Sequence, residues 1–323
     1  MSLNDSAFLM SEPSHAPFVS VIMNCFNGAG YLREALESVR AQTFADWEII
    51  FWDNRSTDES ASIYLSFDDA RFRYFLAPEH TVLAVAKNLA VEKAGGEWLA
   101  CLDCDDLWEP DKLERQVAII RADGPKLGLV YGRMKVLIEN KARATSLARS
   151  VQARVLIEGQ SHLPEGDILA SLFLVNFVPQ PSALVRRSAY WSVGGVNPTF
   201  RQAWDYDLWV KISKNFLVRA VQDSCCRYRI HHNNLSQDQI EDQYIETIAI
   251  LRQYLEEPGA KRGMCYAETT YARFLFSKGR WTEGCALLLR SANFPIFVVR
   301  ALRFVWRRLC LFTKGWRSES LTH

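Results

Sequence analysis

The chain is organised around Trp98-Leu99-Ala100-Cys101-Leu102-Asp103-Cys104-Asp105-Asp106-Leu107-Trp108-Glu109-Pro110. This stretch opens on five apolar or small residues, which read as a buried strand. Three carboxylates follow, and Pro110 closes the turn and opens a helix. Carboxylates at the end of a buried strand are costly unless a cation meets them. A hard divalent ion carrying phosphates fits that place. Cys101 and Cys104 form a nominal C-x-x-C, but the strand context and the intervening Asp103 argue against a redox pair. No second C-x-x-C completes a zinc site.

Upstream, strands and helices alternate. Phe18 to Met23 reads as a first strand and Asn24 to Gly30 as turn chemistry. A helix from about Tyr31 to Ala41 puts Leu32, Ala35, Leu36 and Val39 on one face, with Glu34 and Glu37 outward. Trp47 to Trp52 is a second strand running into Asp53-Asn54-Arg55-Ser56-Thr57-Asp58, where Ser56 or Thr57 would cap a helix to Leu65. Phe72 to Phe75 is a third strand, and Leu83 to Ala94 a helix stopped by Gly95-Gly96. This alternation predicts a parallel sheet with right-handed crossovers, whose ligands bind at the carboxyl ends of the strands. Asn24, Asn27, Asp53 and Asp103 to Asp106 collect there. No G-x-G-x-x-G and no Walker lysine is present, so dehydrogenase and kinase readings lose their best supports.

Downstream, Leu113, Val117 and Ile120 mark a helix that Asp123-Gly124-Pro125 breaks. Gly128 to Gly132 reads as a strand, about Arg133 to Gly166 as loop or hairpin, and Asp167 to Val175 as helix. Asn176 to Val185 is extended, and Arg186-Arg187-Ser188 caps a short helix before Gly194-Gly195. Leu208 to Ile212 is helical, with Asp205 and Asp207 at its start. Cys225 to Ile230 is the last strand, followed by His231 and His232. From Ile240 the chain is helical, and Ala272, Phe276, Gly279, Ala286 and Leu289 suggest an antiparallel helix pair.

The 323 residues are 49% hydrophobic, with a formal net charge of +1, which excludes a chain that binds nucleic acid through its overall charge. Eight cysteines are expected as thiols in a reducing compartment. Met1 to Pro17 lacks a basic start followed by an apolar run, and no stretch reaches the ~20 apolar residues of a spanning helix. A cytoplasmic location is therefore expected. Phe294 to Phe312 combines aromatic and aliphatic residues with Arg300, Arg303, Arg307 and Arg308. It reads either as a peripheral surface helix on acidic lipid at the inner face of a membrane or as an amphipathic helix packed on the protein.

In order, these pieces resemble the family 2 glycosyltransferases of the GT-A fold, over about residues 18 to 236. The resemblance is carried by Val19 to Asn27, Gln42-Thr43-Phe44, Asp53 to Asp58, Lys87-Asn88, Gly96-Glu97-Trp98 and Leu102 to Asp106. Trp204 to Trp209 and Tyr228-Arg229-Ile230-His231 complete it. It implies an α/β fold: a GT-A-type, mostly parallel, Rossmann-like sheet flanked by helices, with a C-terminal helical extension. The organisation it implies is a disordered tail over 1–16, a transferase domain over 17–239 and a helical region over 240–323. Within the domain, 17–125 would be the nucleotide-sugar half and 126–239 the acceptor half.

The resemblance further implies an inverting, divalent-metal-dependent transferase. It would move a sugar from a nucleoside-diphosphate sugar to a hydroxyl of a glycan or lipid-linked acceptor, in surface polysaccharide synthesis. In the family, the strand-two Asp holds the nucleobase, here Asp53. The first Asp of D-x-D lies near the ribose, here Asp103, and the last binds Mg²⁺ or Mn²⁺ on the diphosphate, here Asp105. Asn24, Phe26 and Asn27 would line the base pocket. Lys87 and Asn88 would lie near the donor, His231 at the metal or diphosphate, and Asp205 would be the general base. Trp204 stands where the family commonly has Glu, and Arg55 where a small residue is frequent; both bear on donor and acceptor preference.

Several residues carry two readings. Asp106 supports the metal site or solvates the turn, and Asp207 is either a rival base or a helix cap. His231 is a ligand or a structural histidine, Trp204 and Trp209 face a sugar or the core, and Gln180 touches donor or acceptor. Asp58 reads as a helix N-terminal charge. Two other functions remain open. A sugar nucleotidyltransferase would want a basic, glycine-rich phosphate loop after strand one, yet Asn24 to Gly30 holds no basic residue. A non-catalytic glycan- or nucleotide-binding protein on the same fold would not require the carboxylate set.

Overall fold

A computed structural model describes residues 16–139, 162–231 and 239–290. Expectations that fall on 1–15, on 140–161, on His232 and on the Arg-rich stretch after 290 lie outside the described residues. The chain divides into two compact units, one within Met1–Ile168 and Phe177–Asn234, the other within Leu169–Asn176 and Leu235–His323.

The first unit is built on one sheet. Its first half is β1 (Val19–Cys25), α1 (Ala29–Arg40), β2 (Trp47–Asp53), α2 (Ser60–Leu65), β3 (Phe72–Leu76), α3 (Leu83–Glu92) and β4 (Trp98–Cys101). Then come β5 (Leu107–Trp108), α4 (Lys112–Ala122) and β6 (Leu127–Ile138). After α5 (Leu169–Leu174), which belongs to the second unit, follow β7 (Leu184–Arg186), α6 (Arg187–Ser192), α7 (Trp204–Asn215) and β8 (Leu217–Ile230). The strand order is β3-β2-β1-β4-β7-β6-β8-β5. β1, β2, β3 and β4 pair in parallel, as do β6 and β8, while β7 and β5 pair antiparallel to their neighbours. This is the α/β sheet that the alternation predicts, with an antiparallel insertion.

Burial explains the arrangement. Val19, Val21 and Met23 alternate along β1 onto the face where Leu32, Ala35, Leu36 and Val39 of α1 pack, all essentially inaccessible. Both faces of the central strands are covered, so β1 and β2 read as continuous apolar runs rather than alternating ones.

Two strands are longer than the sequence reading. β6 continues to Ile138 through residues expected to be loop, and β8 begins at Leu217 rather than Cys225. Beyond Gly132 the pattern alternates, with Met134 buried and Lys135 exposed. Such alternation marks a half-solvated strand, which basic outward residues disguise as loop. Register shifts beside Gly132 and Arg133 break the periodicity further.

The second unit also holds α8 (Ile240–Arg252), α9 (Ala260–Ser277) and α10 (Trp281–Arg290). Gly263 lets α9 approach α5 closely: a Cβ there would lie 2.0 Å from the carbonyl oxygen of Phe173. Arg280 joins the unit's ends, bonding Glu241 of α8 and Glu283 of α10 at 2.6 Å each. Among the described residues no helix is long and apolar enough to cross a membrane.

At the amino edge of the first unit's sheet, a buried polar knot sets strand spacing. Ser20 Oγ donates to Glu48 Oε1 at 2.6 Å and accepts the Gly96 N–H at 2.8 Å. Glu48 also takes the Gly95 N–H and Arg73. A Cβ on Gly96 would stand 2.6 Å from the Ser20 nitrogen. Gly96→Ala is therefore expected to destabilise the protein by about 1–3 kcal/mol, the usual cost of overpacking, as read by chemical denaturation.

Candidate active site

Cys25 at the end of β1 faces Asp53 at the end of β2, and Ile22 faces Cys101 at the end of β4. The chain leaves all three strands at one edge, which gathers Asn24, Asp53 and the Asp103–Asp106 turn.

Asp53 is 1% exposed. Its Oδ1 accepts the Ser56 N–H at 2.7 Å and its Oδ2 the Tyr74 hydroxyl at 2.6 Å. Burial, then the Asp53 carboxylate, holds the Tyr74 phenol protonated well above its ordinary range. A carboxylate has about four acceptor sites, so capacity remains for a ligand donor. Next to it, Asn27 and Arg55 both adopt positive φ (54° and 72°). Their turns lock together: Asn27 N–H donates to Ser56 Oγ at 3.1 Å, and Asn27 Oδ1 accepts the Thr57 N–H at 2.8 Å. Left-handed backbone at non-glycine residues costs roughly 1–3 kcal/mol and collects at ligand sites. The exposed Phe26 ring lies 4.3 Å from His80, whose Nδ1 meets the Asn54 carbonyl. Asn24 is buried, and neither its Oδ1 nor its Nδ2 has a partner among the described residues.

Toward β4, Lys87 of α3 is buried, with its Nζ 3.4 Å from Asp103 Oδ1. Burial works against the ammonium, but Asp103 with the neighbouring Cys101 and Cys104 keeps Lys87 above the ordinary lysine value. His231 Nε2 lies 2.9 Å from Asp105 Oδ2, joining the end of β8 to the D-x-D turn. Asp106 does not solvate the turn. It is 1% exposed, and its Oδ1 accepts the Arg229 N–H at 2.9 Å. Burial, then Asp105 and Asp103, pushes its carboxyl well above the usual range. Cys104 is a spacer whose thiol donates to the Asn24 carbonyl, and the seven described cysteines are all free.

Asp205 and Asp207 lie in the first turn of α7. Asp207 is committed to Lys211 at 2.6 Å, and burial still raises its carboxyl above the usual range. That ion pair weakens its case as a base. Asp205 is 5% exposed and takes the Tyr206 N–H on Oδ1. The preceding Trp204 ring sits 4.6 Å from Lys87 Nζ, which brings the start of α7 beside the Lys87–Asp103 pair. Gln180 and Trp209 join Lys87 and Trp204 around a small, mostly apolar pocket. Asn88 braces the scaffold. Its Oδ1 accepts the Tyr190 hydroxyl and the Val196 N–H, and its Nδ2 donates to the Val196 carbonyl.

The family model described as glycosyl transferase family 2 matches residues 20–194, more than half of the chain. The chain belongs to glycosyl transferase family 2. A glycosyltransferase of Rickettsia felis is 30% identical over 67% of this chain and 35% of its own length, so the chain spans about a third of that relative. The Escherichia coli enzyme WfgD is named as a UDP-Glc:alpha-D-GlcNAc-diphosphoundecaprenol beta-1,3-glucosyltransferase. It is 25% identical over 75% of this chain and 88% of its own. The mannosyltransferase PcManGT of Pyrobaculum calidifontis, solved with GDP-Man and Mn²⁺, aligns with a TM-score of 0.59 at 19% identity. That alignment covers 96% of this chain and 84% of that one and speaks for a shared fold.

Among the described residues no three His, Cys, Asp or Glu side chains cluster as a metal cage. Asp105 and His231 supply one carboxylate and one imidazole. That fits a cation held by one or two protein ligands and completed by substrate phosphates, not a structural metal. The sequence reading missed Tyr74 as a partner of Asp53, and Tyr31, Glu34 and Glu139 as partners around Arg229. Tyr74 shares a face of β3 with Phe72 and pairs with Phe51 of β2, two residues before Asp53, so only strand register could have suggested it.

Asp58 bears out its role as a helix charge. Its Oδ2 accepts the Ala29 N–H at the start of α1, and its Oδ1 the Ser60 N–H and hydroxyl. Burial opposes the charge, but these bonds hold the carboxyl below its usual range. A depressed folded-state pKa gives stability that is present above the unfolded value, near 4, and lost as pH falls through the folded value. In denaturant titrations the stability gap between wild type and Asp58→Asn is therefore expected near pH 7 and shrinks toward pH 3.

Proposed function

We propose that this chain is an inverting glycosyltransferase that moves a sugar from a nucleoside-diphosphate sugar to an acceptor hydroxyl. The observation that carries the reading is the gathering of Asp53, Lys87–Asp103 and Asp105–His231 at one sheet edge, with Asp205's helix drawn beside them by Trp204 on Lys87. Asp53 reads the nucleobase beside Asn24, Phe26 and Asn27. Asp103 faces the ribose, with Lys87 orienting its carboxylate. Asp105 and His231 hold Mg²⁺ or Mn²⁺, which when bound neutralises the diphosphate leaving group. Asp205 accepts the proton of the acceptor hydroxyl as that oxygen bonds to the anomeric carbon and the bond from that carbon to phosphate oxygen breaks. One displacement with one base inverts the anomeric centre.

The acceptor class we infer is a lipid-linked glycan of surface polysaccharide synthesis. The name of the E. coli relative, which acts on a diphosphoundecaprenol-linked sugar, supports it. The Arg-bearing, aromatic stretch Phe294 to Phe312 supports work at the cytoplasmic face of a membrane. A nucleotidyltransferase has no such support, since the loop after β1 carries no cation.

The test is nucleoside-diphosphate release with a panel of donors and a polyprenyl-diphosphate-sugar acceptor, presented in anionic or neutral vesicles. Turnover is expected with one donor, faster on anionic vesicles, and abolished by EDTA. Asp205→Asn should lose roughly 10²–10⁴-fold in kcat, the usual worth of a general base, and Asp105→Ala should lose metal-dependent turnover. Full activity of Asp205→Asn or undiminished turnover in EDTA would contradict the respective roles.

A further inference from the structure

We propose that Tyr31 and Arg229 are positioning residues that set the spacing between Asp105 and His231. The inference rests on the metal reading above.

The two ligand candidates come from chain segments 126 residues apart. Something must fix the D-x-D turn against the end of β8, and four hydrogen bonds of Arg229 bear on it. Its backbone N–H donates to Asp106 Oδ1 at 2.9 Å, and its Nε donates to the Asp105 carbonyl oxygen at 2.9 Å. Its Nη2 donates to Glu34 Oε2 at 2.7 Å, and its Nη1 to Glu139 Oε1. The side chain is only 3% exposed.

Tyr31 closes the ring of contacts. Its hydroxyl donates to Glu139 Oε2 at 2.7 Å, its face lies 4.6 Å from the Arg229 Cζ, and its ring centroid is 4.7 Å from that of His231. Tyr31 and Glu34 are three residues apart on α1 and so share a face. One guanidinium and one phenol therefore tie α1, the D-x-D turn and the end of β6 to the strand that delivers His231.

A buried guanidinium paired with two exposed carboxylates is weak support for stability, because its desolvation offsets the Coulombic gain. Its geometric effect is different in kind. Arg229 touches Asp105 through the carbonyl, leaving the carboxylate to face His231, and Tyr31 supports the imidazole face. This is how outer partners orient metal ligands, and losing them typically weakens binding 10–100-fold. A lysine at 229 keeps the charge but cannot fork to three partners at once.

The test titrates Mn²⁺ by electron paramagnetic resonance in the presence of UDP and, separately, GDP. It is applied to wild type, Asp105→Ala, Arg229→Lys and Tyr31→Leu, and each protein's melting temperature is measured in EDTA. Both positioning variants are expected to bind Mn²⁺ roughly 10-fold or more weakly. Tyr31 is only half-buried, so Tyr31→Leu is expected to melt near wild type without metal, which separates positioning from folding. Wild-type Mn²⁺ binding with unchanged affinity in both variants would overturn the inference while leaving the metal reading intact. Failure of wild type itself to bind Mn²⁺ would overturn the metal reading, and the inference with it.

Discussion

The constraint on which the molecule depends is the compensation of carboxylates at the carboxyl edge of its sheet. Asp53, Asp103, Asp105 and Asp106 all lie there, and two of them are 1% exposed. Each finds a different partner. Asp53 takes a phenol and a backbone N–H, and Asp103 a buried lysine. Asp105 takes an imidazole, and Asp106 the backbone of Arg229. Burying a charge without such partners costs several kcal/mol. The turns after β1, β2 and β4 are shaped by that need before any ligand arrives.

Those partners differ in how closely they bond. Tyr74 on Asp53, Arg229 on Asp105 and Asp106, His231 on Asp105 and Asp58 at the start of α1 bond between 2.6 and 3.0 Å. The Lys87–Asp103 pair is longer, at 3.4 Å. Preorganised groups that face inward and still have acceptor or donor capacity are what electrostatic stabilisation of a leaving group requires.

Much of this was legible in the sequence because local rules and tertiary packing agree. The apolar run ending in Asp103-Cys104-Asp105-Asp106, the turn chemistry around Asn24 to Gly30, and the helix face of Leu32, Ala35, Leu36 and Val39 each follow from periodicity and composition. What was not legible depends on distance in space. Asn88 stood next to Lys87 in the motif, but its amide is spent on Tyr190 and Val196, about a hundred residues away. Glu34 was expected to face outward. It is 58% exposed and still bonds Arg229. β6 and β8 ran longer than expected because half-solvated strands carry arginines and lysines that mimic loop. Asp207 and Asp205 share a helix turn in sequence, and Lys211, one helical turn on, pairs with Asp207.

The central claim is that this carboxylate edge binds a nucleoside diphosphate through a divalent cation. Calorimetric titration of UDP, GDP and dTDP into the full chain, with Mn²⁺ and again with EDTA, tests it most directly. One nucleotide is expected to bind, EDTA to weaken it at least ~10-fold, and Asp53→Ala to remove binding in either condition. Equal affinity with and without the cation, or no binding of any nucleoside diphosphate, would contradict it.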